Sequence, residues 1–253
     1  MTPDTGPLLA VAVLWGAAAG ALLPRAAYRF AAPDGGPWHR TCPQGHPLKG
    51  WLGRARCPRC RDTPQAERRA NGGYGPGVLP LALATALVCA ALAAATGARF
   101  ELLVWLLLAP PGVLLTVVDF RVRRLPDPLT LPFAGAALAL LGVVALLPEP
   151  AGHWPTALYA ALALGLAFTV LWLINPRGMG FGDAKLALGV GAVLGWYGWP
   201  TVMLGTFAGF LLGAVYGITL IALGRAGRRS TIAFGPFLLA GAFLGLLIGA
   251  FTA

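Results

Sequence analysis

Apolar residues fall into eight long runs, near residues 7–29, 78–97, 101–119, 129–148, 155–175, 184–198, 199–223 and 233–252. A helix that crosses a bilayer needs about 20 apolar residues. The pattern therefore predicts an all-α, polytopic membrane protein with about eight transmembrane helices. The sixth run is short and ends at Trp196, Tyr197 and Trp199. Aromatic residues of that kind gather at the membrane–water interface. Alanine, leucine and glycine dominate the runs, and small residues let helix backbones approach closely in lipid. No fixed-period repeat is present. The only polar stretch of any size is 31–77, so the chain divides into a first helix (1–30), a basic insert (31–77) and a seven-helix core (78–253).

Composition agrees with this pattern. Of 253 residues, 57% are hydrophobic and 11% charged, whereas a soluble domain carries roughly a quarter charged residues. The net charge of +10 is sorted by loop. One set of loops holds Arg25, Arg29, the basic residues of the insert, Arg121, Arg123, Arg124, Arg177, Lys185, Arg225, Arg228 and Arg229. In the alternate set only Arg99 is basic. Cytosolic loops carry the Lys/Arg excess, so the basic loops are expected in the cytosol and both termini outside. The basicity reports topology, and nucleic acid is not an expected partner. Residues 1–6 contain Asp4 and no Lys or Arg. A secretory n-region is positive, so an uncleaved first helix is expected.

The insert is too short to bury much core, and pieces this small usually need a staple. Cys42-Pro-Gln-Gly-His46 and Cys57-Pro-Arg-Cys60 supply one. Three thiolates and an imidazole suit tetrahedral zinc, and metal binding would contribute folding energy. A closed four-ligand set predicts a structural role. The alternative is a surface histidine beside free thiols in a reducing cytosol. Cys89 lies inside an apolar run and is read as packing.

Three of the nine acidic residues stand at helix ends on the basic side: Asp119, Asp127 and Asp183. Ionisable residues in spans point to function. Asp127, followed by Pro128, reads as a helix N-cap. Asp183 follows Gly178-Met-Gly180-Phe-Gly182 and could cap its helix, yet three glycines exceed what a cap requires and suit close approach of another chain. Asp119 ends the third helix, where a carboxylate opposes the macrodipole; pairing with Arg121, Arg123 or Arg124 is its structural alternative. Two carboxylates at one interface can serve as acid and base in hydrolysis. Helices carrying Asp119 and Asp183 emerge on the same side.

These stretches resemble the type IV prepilin peptidases, bacterial membrane aspartic proteases of the GxGD type. Val118-Asp119 with Leu125-Pro-Asp127-Pro-Leu-Thr-Leu-Pro132 is similar to one family segment. Gly180-Phe-Gly182-Asp183-Ala-Lys185-Leu186 is similar to another, Phe234-Gly-Pro-Phe237 to a third, and Gly20 to Arg29 to the end of the family's first helix. The resemblance implies a catalytic pair at Asp119 and Asp183, with Gly178, Gly180, Gly182 and Lys185 in the active-site loop. Gly180 and Gly182 would admit an extended substrate strand, and Lys185 would bias the pair's ionisation. The implied substrate is a prepilin or pseudopilin precursor in the plasma membrane, its short basic leader cut at the cytosolic face. Proteolysis needs no cofactor; many members also N-methylate the product from S-adenosylmethionine. Two departures stand out. The family's first CxxC is here Cys42…His46, leaving a Cys3His set. Ala21 and Pro24 replace the family's usual Ser and Asn. A non-proteolytic methylase or scaffold and a carboxylate-dependent transporter are the alternatives; a transporter would place its charges near the bilayer midplane.

Overall fold

A computed structural model describes residues 5–32, 36–61, 73–176, 178–225 and 233–253. Asp4, Arg177, Arg228, Arg229 and residues 62–72 of the insert lie outside the described residues. All eight apolar runs form helices: α1 (Thr5–Phe30), α3 (Val78–Thr96), α4 (Glu101–Val122), α5 (Asp127–Val144), α6 (Trp154–Ile174), α7 (Phe181–Gly195), α8 (Trp199–Ala222) and α9 (Gly235–Thr252). The insert adds a single turn, α2 (Pro58–Arg61). Seven helices are long and apolar enough to cross a membrane. The eighth, α7, has 15 residues, about 22 Å of helix, and it is clad in protein. It packs on α5, α6, α8 and α9, and from Gly189 to Gly195 every residue is buried.

Close approach explains the small residues. On α1, a Cβ at Gly16 would stand 2.7 Å from the Thr85 carbonyl oxygen, and one at Gly20 2.5 Å from that of Leu81. On α7, Cβ atoms at Gly191 and Gly195 would meet Ala160 and Thr156 backbone of α6 at 2.5 and 2.8 Å. Between α8 and α9, Gly205 and Gly209 face Gly241 and Gly245. Each pair is spaced four residues apart, one helical turn, as backbone-to-backbone packing in lipid requires.

The end of the bundle away from the insert is closed by a polar cluster. Glu101 is buried beside Arg99 at 3.6 Å, and the Tyr197 hydroxyl donates to Glu101 Oε1 at 3.4 Å. Arg99 also donates to the carbonyls of Thr96 and Ala250. The one basic residue that breaks the loop charge rule thus ties α3, α4 and α9 together.

At the other end, α1 and the insert share a hydrogen-bond ladder. Pro24 has no N–H and its ring crowds the carbonyl four residues back, which opens the helix. Gly53 enters the opening, donating to the Leu22 carbonyl at 2.7 Å and accepting from the Arg25 N–H at 3.0 Å. Its φ of 116° is a conformation that favours glycine. Trp38 of the insert packs edge-on to Phe30, and Arg124 lies over its ring at 5.2 Å. The insert is therefore joined to α1 and to the link between α4 and α5.

One expectation at this end needs correction. Asp127 is not the N-cap of α5: Pro126 holds that position, with φ −70° and ψ 130°, and no side chain caps the helix. The extended Leu125-Pro126 pair places the helix start one residue earlier than the Asp-Pro reading put it. Asp127 then lies in the first turn, and its Oδ1 accepts a 2.7 Å hydrogen bond from Lys185 Nζ.

Candidate active site

Asp119 is in the last turn of α4 and Asp183 in the first turn of α7. They are 3% and 6% exposed, a burial that carboxylates rarely tolerate unless paired or functional. Their helices run in opposite directions, so both side chains lie at the insert end of the bundle, where the Asp119 charge acts on Asp183. Leu125, buried in the link between α4 and α5, is the wedge between their supports. It contacts the positions of Gly182, where a Cβ would stand 2.8 Å from its own Cβ, and Gly235, where the distance to Cδ1 would be 3.1 Å. A Cβ at Gly235 would also lie 2.7 Å from Asp119 Oδ2. The start of α9 therefore presses directly on the Asp119 carboxylate.

Asp119 Oδ2 is buried without a well-formed hydrogen bond among the described residues, its nearest donor being the Gly235 N–H at the start of α9. Such an atom is costly to leave unpaired and needs an explanation beyond packing. Asp183 reaches back towards Gly180, the N-cap of α7, and its own N–H donates to the Gly180 carbonyl at 3.1 Å. Asp183 therefore lies inside the first turn of α7, whose N-cap Gly180 has no side-chain cap, and the capping alternative for Asp183 does not hold.

The three loop glycines differ in what they do for the fold. Gly178 closes a turn onto Asn175, with its N–H donating to the Asn175 carbonyl at 3.0 Å, and a Cβ there would strike the Asn175 side chain. Gly182 is consumed by Leu125. Gly180 has an ordinary extended conformation, φ −76° and ψ 140°, and a Cβ there would make only a normal 3.6 Å contact with Asp183 Oδ2. Nothing internal demands glycine at 180. Lys185 is engaged with Asp127 and lies 4.9 Å over the Phe181 ring.

Sequence reasoning missed Leu125 as a wedge and Gly235 as a neighbour of Asp119; the Leu-Pro and Phe-Gly-Pro motifs were the available signals. Phe234, the N-cap of α9, stacks on Phe210 at 5.0 Å and Phe168 at 5.9 Å. That aromatic packing against α6 and α8 fixes where Gly235 begins. An apolar cavity of about 370 Å³ lies between α3, α4, α7 and α9. It is walled by Trp105, Phe133 of α5 and Phe243 and reaches Thr116, Val117 and Pro236, within three residues along the chain of Asp119 or Gly235.

In the insert, donor atoms of Cys42, His46, Cys57 and Cys60 all lie within 4.8 Å of one another. Cys42 Sγ is 3.6 Å from Cys60 Sγ and 3.6 Å from His46 Nδ1; His46 Nδ1 is 3.3 Å from Cys60 Sγ and 3.7 Å from Cys57 Sγ. Ligand bonds of about 2.3 Å to sulfur and 2.0–2.1 Å to nitrogen give tetrahedral edges of roughly 3.5–3.8 Å, so the donor set fits a metal ion. Backbone supports the arrangement: Cys42 N–H donates to the His46 carbonyl at 2.9 Å and Cys60 N–H to that of Cys57 at 3.2 Å. Burial, and then the thiols of Cys57 and Cys42, push Cys60 up to about 12. A cation bound among thiols crowded this closely would release their protons.

Comparison with known proteins agrees with the geometry. The sequence model of the Type IV leader peptidase family matches residues 102–218, which include both buried aspartates. A "Prepilin leader peptidase/N-methyltransferase" of Aeromonas salmonicida is 34% identical over 223 residues, covering 83% of this chain and 68% of that protein. Proteins of the same name from Burkholderia pseudomallei (32% over 238 residues, 83% and 67%) and Pseudomonas aeruginosa (28% over 239 residues, 89% and 75%) also match. No solved structure matches. This multi-pass membrane chain therefore belongs to the type IV leader (prepilin) peptidase family of aspartic endopeptidases.

Proposed function

We propose that the chain cuts the leader from type IV prepilin or pseudopilin precursors at the cytosolic membrane face, with Asp119 and Asp183 as the catalytic pair. The observation that carries this reading is that two buried carboxylates, from the end of α4 and the start of α7, lie at the same end of the bundle, where the charge of one acts on the other. Basic loops gather at the same end, which the charge rule assigns to the cytosol, with both termini outside. Charged groups at helix ends rather than at midplane disfavour a transporter.

The pair works as a unit. One carboxylate takes a proton from water as its oxygen attacks the scissile carbonyl carbon; the other, protonated, gives its proton to the carbonyl oxygen. Collapse of the tetrahedral intermediate returns that proton and breaks the C–N bond, while the first carboxyl protonates the leaving amine. The open side of Gly180 gives an extended strand access to Asp183. The apolar cavity offers room for side chains of the substrate's membrane segment beside the cut. Lys185, held by Asp127, positions the first turn of α7.

Cys42, His46, Cys57 and Cys60 would hold a structural zinc ion; four protein ligands leave no open coordination position, so the ion supplies a cross-link rather than chemistry. Methyl transfer from S-adenosylmethionine, the second activity in the relatives' name, is read from the mass of the processed product.

The test is cleavage of a type IV prepilin in membranes by the wild type, Asp119→Asn and Asp183→Asn at matched expression. Asparagine keeps size but cannot exchange the proton. Loss of cleavage in both folded variants is the expected result. Wild-type cleavage by either would make that aspartate structural and end the proposed mechanism.

A further inference from the structure

The insert turns a short loop, Lys49-Gly-Trp51-Leu52-Gly-Arg54, outward beside α1. Its backbone is held inward at Lys49, Gly50, Gly53 and Arg54. Arg25 donates to the carbonyls of Lys49 at 2.6 Å and Arg54 at 3.3 Å, and Arg29 donates to that of Gly50 at 2.7 Å. Arg29 also lies over the Trp51 ring at 4.1 Å. The loop is therefore rigid, yet it presents Trp51 at 41% and Leu52 at 57% exposure, with Lys49 and Arg54 exposed on either side. Trp51 packs on Phe30 of α1, with ring centroids 4.8 Å apart, and its remaining exposure and that of Leu52 lie outward beside half-buried Arg25 and buried Arg29.

Its height along α1 is defined by Gly53, which pairs with Leu22 and Arg25. From Gly6 to Leu22 the helix rises about 25 Å, close to the roughly 30 Å of a hydrocarbon core. Leu22 itself is 46% exposed. The loop therefore lies where hydrocarbon gives way to headgroups. Tryptophan prefers that depth, and lysine and arginine beside it attract anionic headgroups. A positively charged leader would be repelled by this face, which favours lipid over substrate as its partner.

We propose that residues 49–54 form an interfacial anchor that binds anionic phospholipid, with Trp51 and Leu52 inserted and Lys49 and Arg54 on the headgroups. The anchor fixes the height of the insert and, through Trp38 and Arg124, of the link between α4 and α5 beside Asp119.

The experiment places a genetically encoded spin label at Leu52 in the full chain, sparing the cysteines, and reconstitutes it in vesicles. Relative access of oxygen and of a water-soluble nickel chelate reports depth. In phosphatidylcholine/phosphatidylglycerol vesicles the label is expected at the hydrocarbon edge; in phosphatidylcholine alone it shifts towards water. Lys49→Gln with Arg54→Gln keeps the backbone contacts to Arg25 and weakens the inserted state roughly fivefold per charge removed. Three results would overturn the proposal: a label in water in anionic vesicles, equal depth in both lipids, or no effect of the Gln substitutions. Inorganic phosphate added to phosphatidylcholine vesicles should leave the label in water; insertion driven by phosphate would identify a free anion instead of lipid. None of these readouts depends on cleavage.

Discussion

Gly235→Ala isolates the contact between α9 and Asp119. The new Cβ would stand 2.7 Å from Asp119 Oδ2, 3.4 Å from Cγ and 3.1 Å from Leu125 Cδ1. A carbon–oxygen contact relaxes at about 3.3 Å, so the carboxylate or the start of α9 must move by about 0.6 Å. Leu125 blocks one direction and Phe234, stacked on Phe168 and Phe210, resists the other. Overpacking of this kind costs about 1–3 kcal/mol, which lowers thermal stability modestly. Catalysis suffers more, because a misplacement of about 1 Å at reacting groups costs on the order of a hundredfold. We expect kcat/KM to fall about 30- to 100-fold per folded enzyme, measured on a purified prepilin in detergent or nanodiscs with the folded fraction normalised. Gly135→Ala is the control: nothing lies within 4 Å of a Cβ there, and alanine favours helix by up to about 1 kcal/mol. Wild-type kcat/KM in folded Gly235→Ala would show that the carboxylate of Asp119 is not at the reacting centre.

Gly180→Ala should leave thermal stability within about 0.5 kcal/mol, since its Cβ meets only a 3.6 Å contact. It should raise KM for prepilin if a substrate strand passes there, and unchanged kinetics would remove that role. Asp127→Asn should retain cleavage and cost about 0–1 kcal/mol, because its side chain is 57% exposed and exposed ion pairs contribute little; loss of activity equal to that of Asp119→Asn would refute this division of roles. Purified protein should contain about one zinc per chain by elemental analysis. Cys57→Ser should lose the metal and expose the segment around Arg25 and Gly53 to hydrogen exchange, whereas His46→Cys should keep both; equal protection with and without metal would separate the ion from the insert's folding. Gly241→Leu should block folding, because Gly209 and Gly205 backbone face it and backbone cannot step aside; normal accumulation in membranes would contradict the α8–α9 packing.

Local pattern carried the helices and the four metal-ligand positions. A run of apolar residues marks its own helix, and Cys42, His46, Cys57 and Cys60 are close along the chain. Asp119 and Asp183 stood out because carboxylates at the ends of apolar helices are costly. Contacts between distant segments were not legible. Gly20 against Leu81, Gly235 against Asp119 and Gly53 inside the α1 ladder each join segments whose meeting depends on the whole bundle. The Asp-Pro signal at 127 was legible and misleading by one residue: Leu125-Pro126 already supplied the extended entry, and Lys185, far along the chain, took the carboxylate. The short α7 runs the depth of the bundle, from Asp183 at the insert end towards Tyr197 beside Glu101, but sequence could not tell its buried apolar residues from lipid-facing ones.

That helix sets an order of assembly. Because α7 is enclosed by α5, α6, α8 and α9, its glycine face can settle on α6 as soon as it is made, but its other flank has no partner in lipid until α8 and α9 follow. A nascent chain paused before α9 would hold Asp183 beside an open flank, and Asp119 would lack Gly235 as its neighbour. The surroundings of Asp119 are complete only once α9 is in place. A chain cut short before α9 would present quality-control proteases with an open flank beside Asp183 in place of a closed bundle.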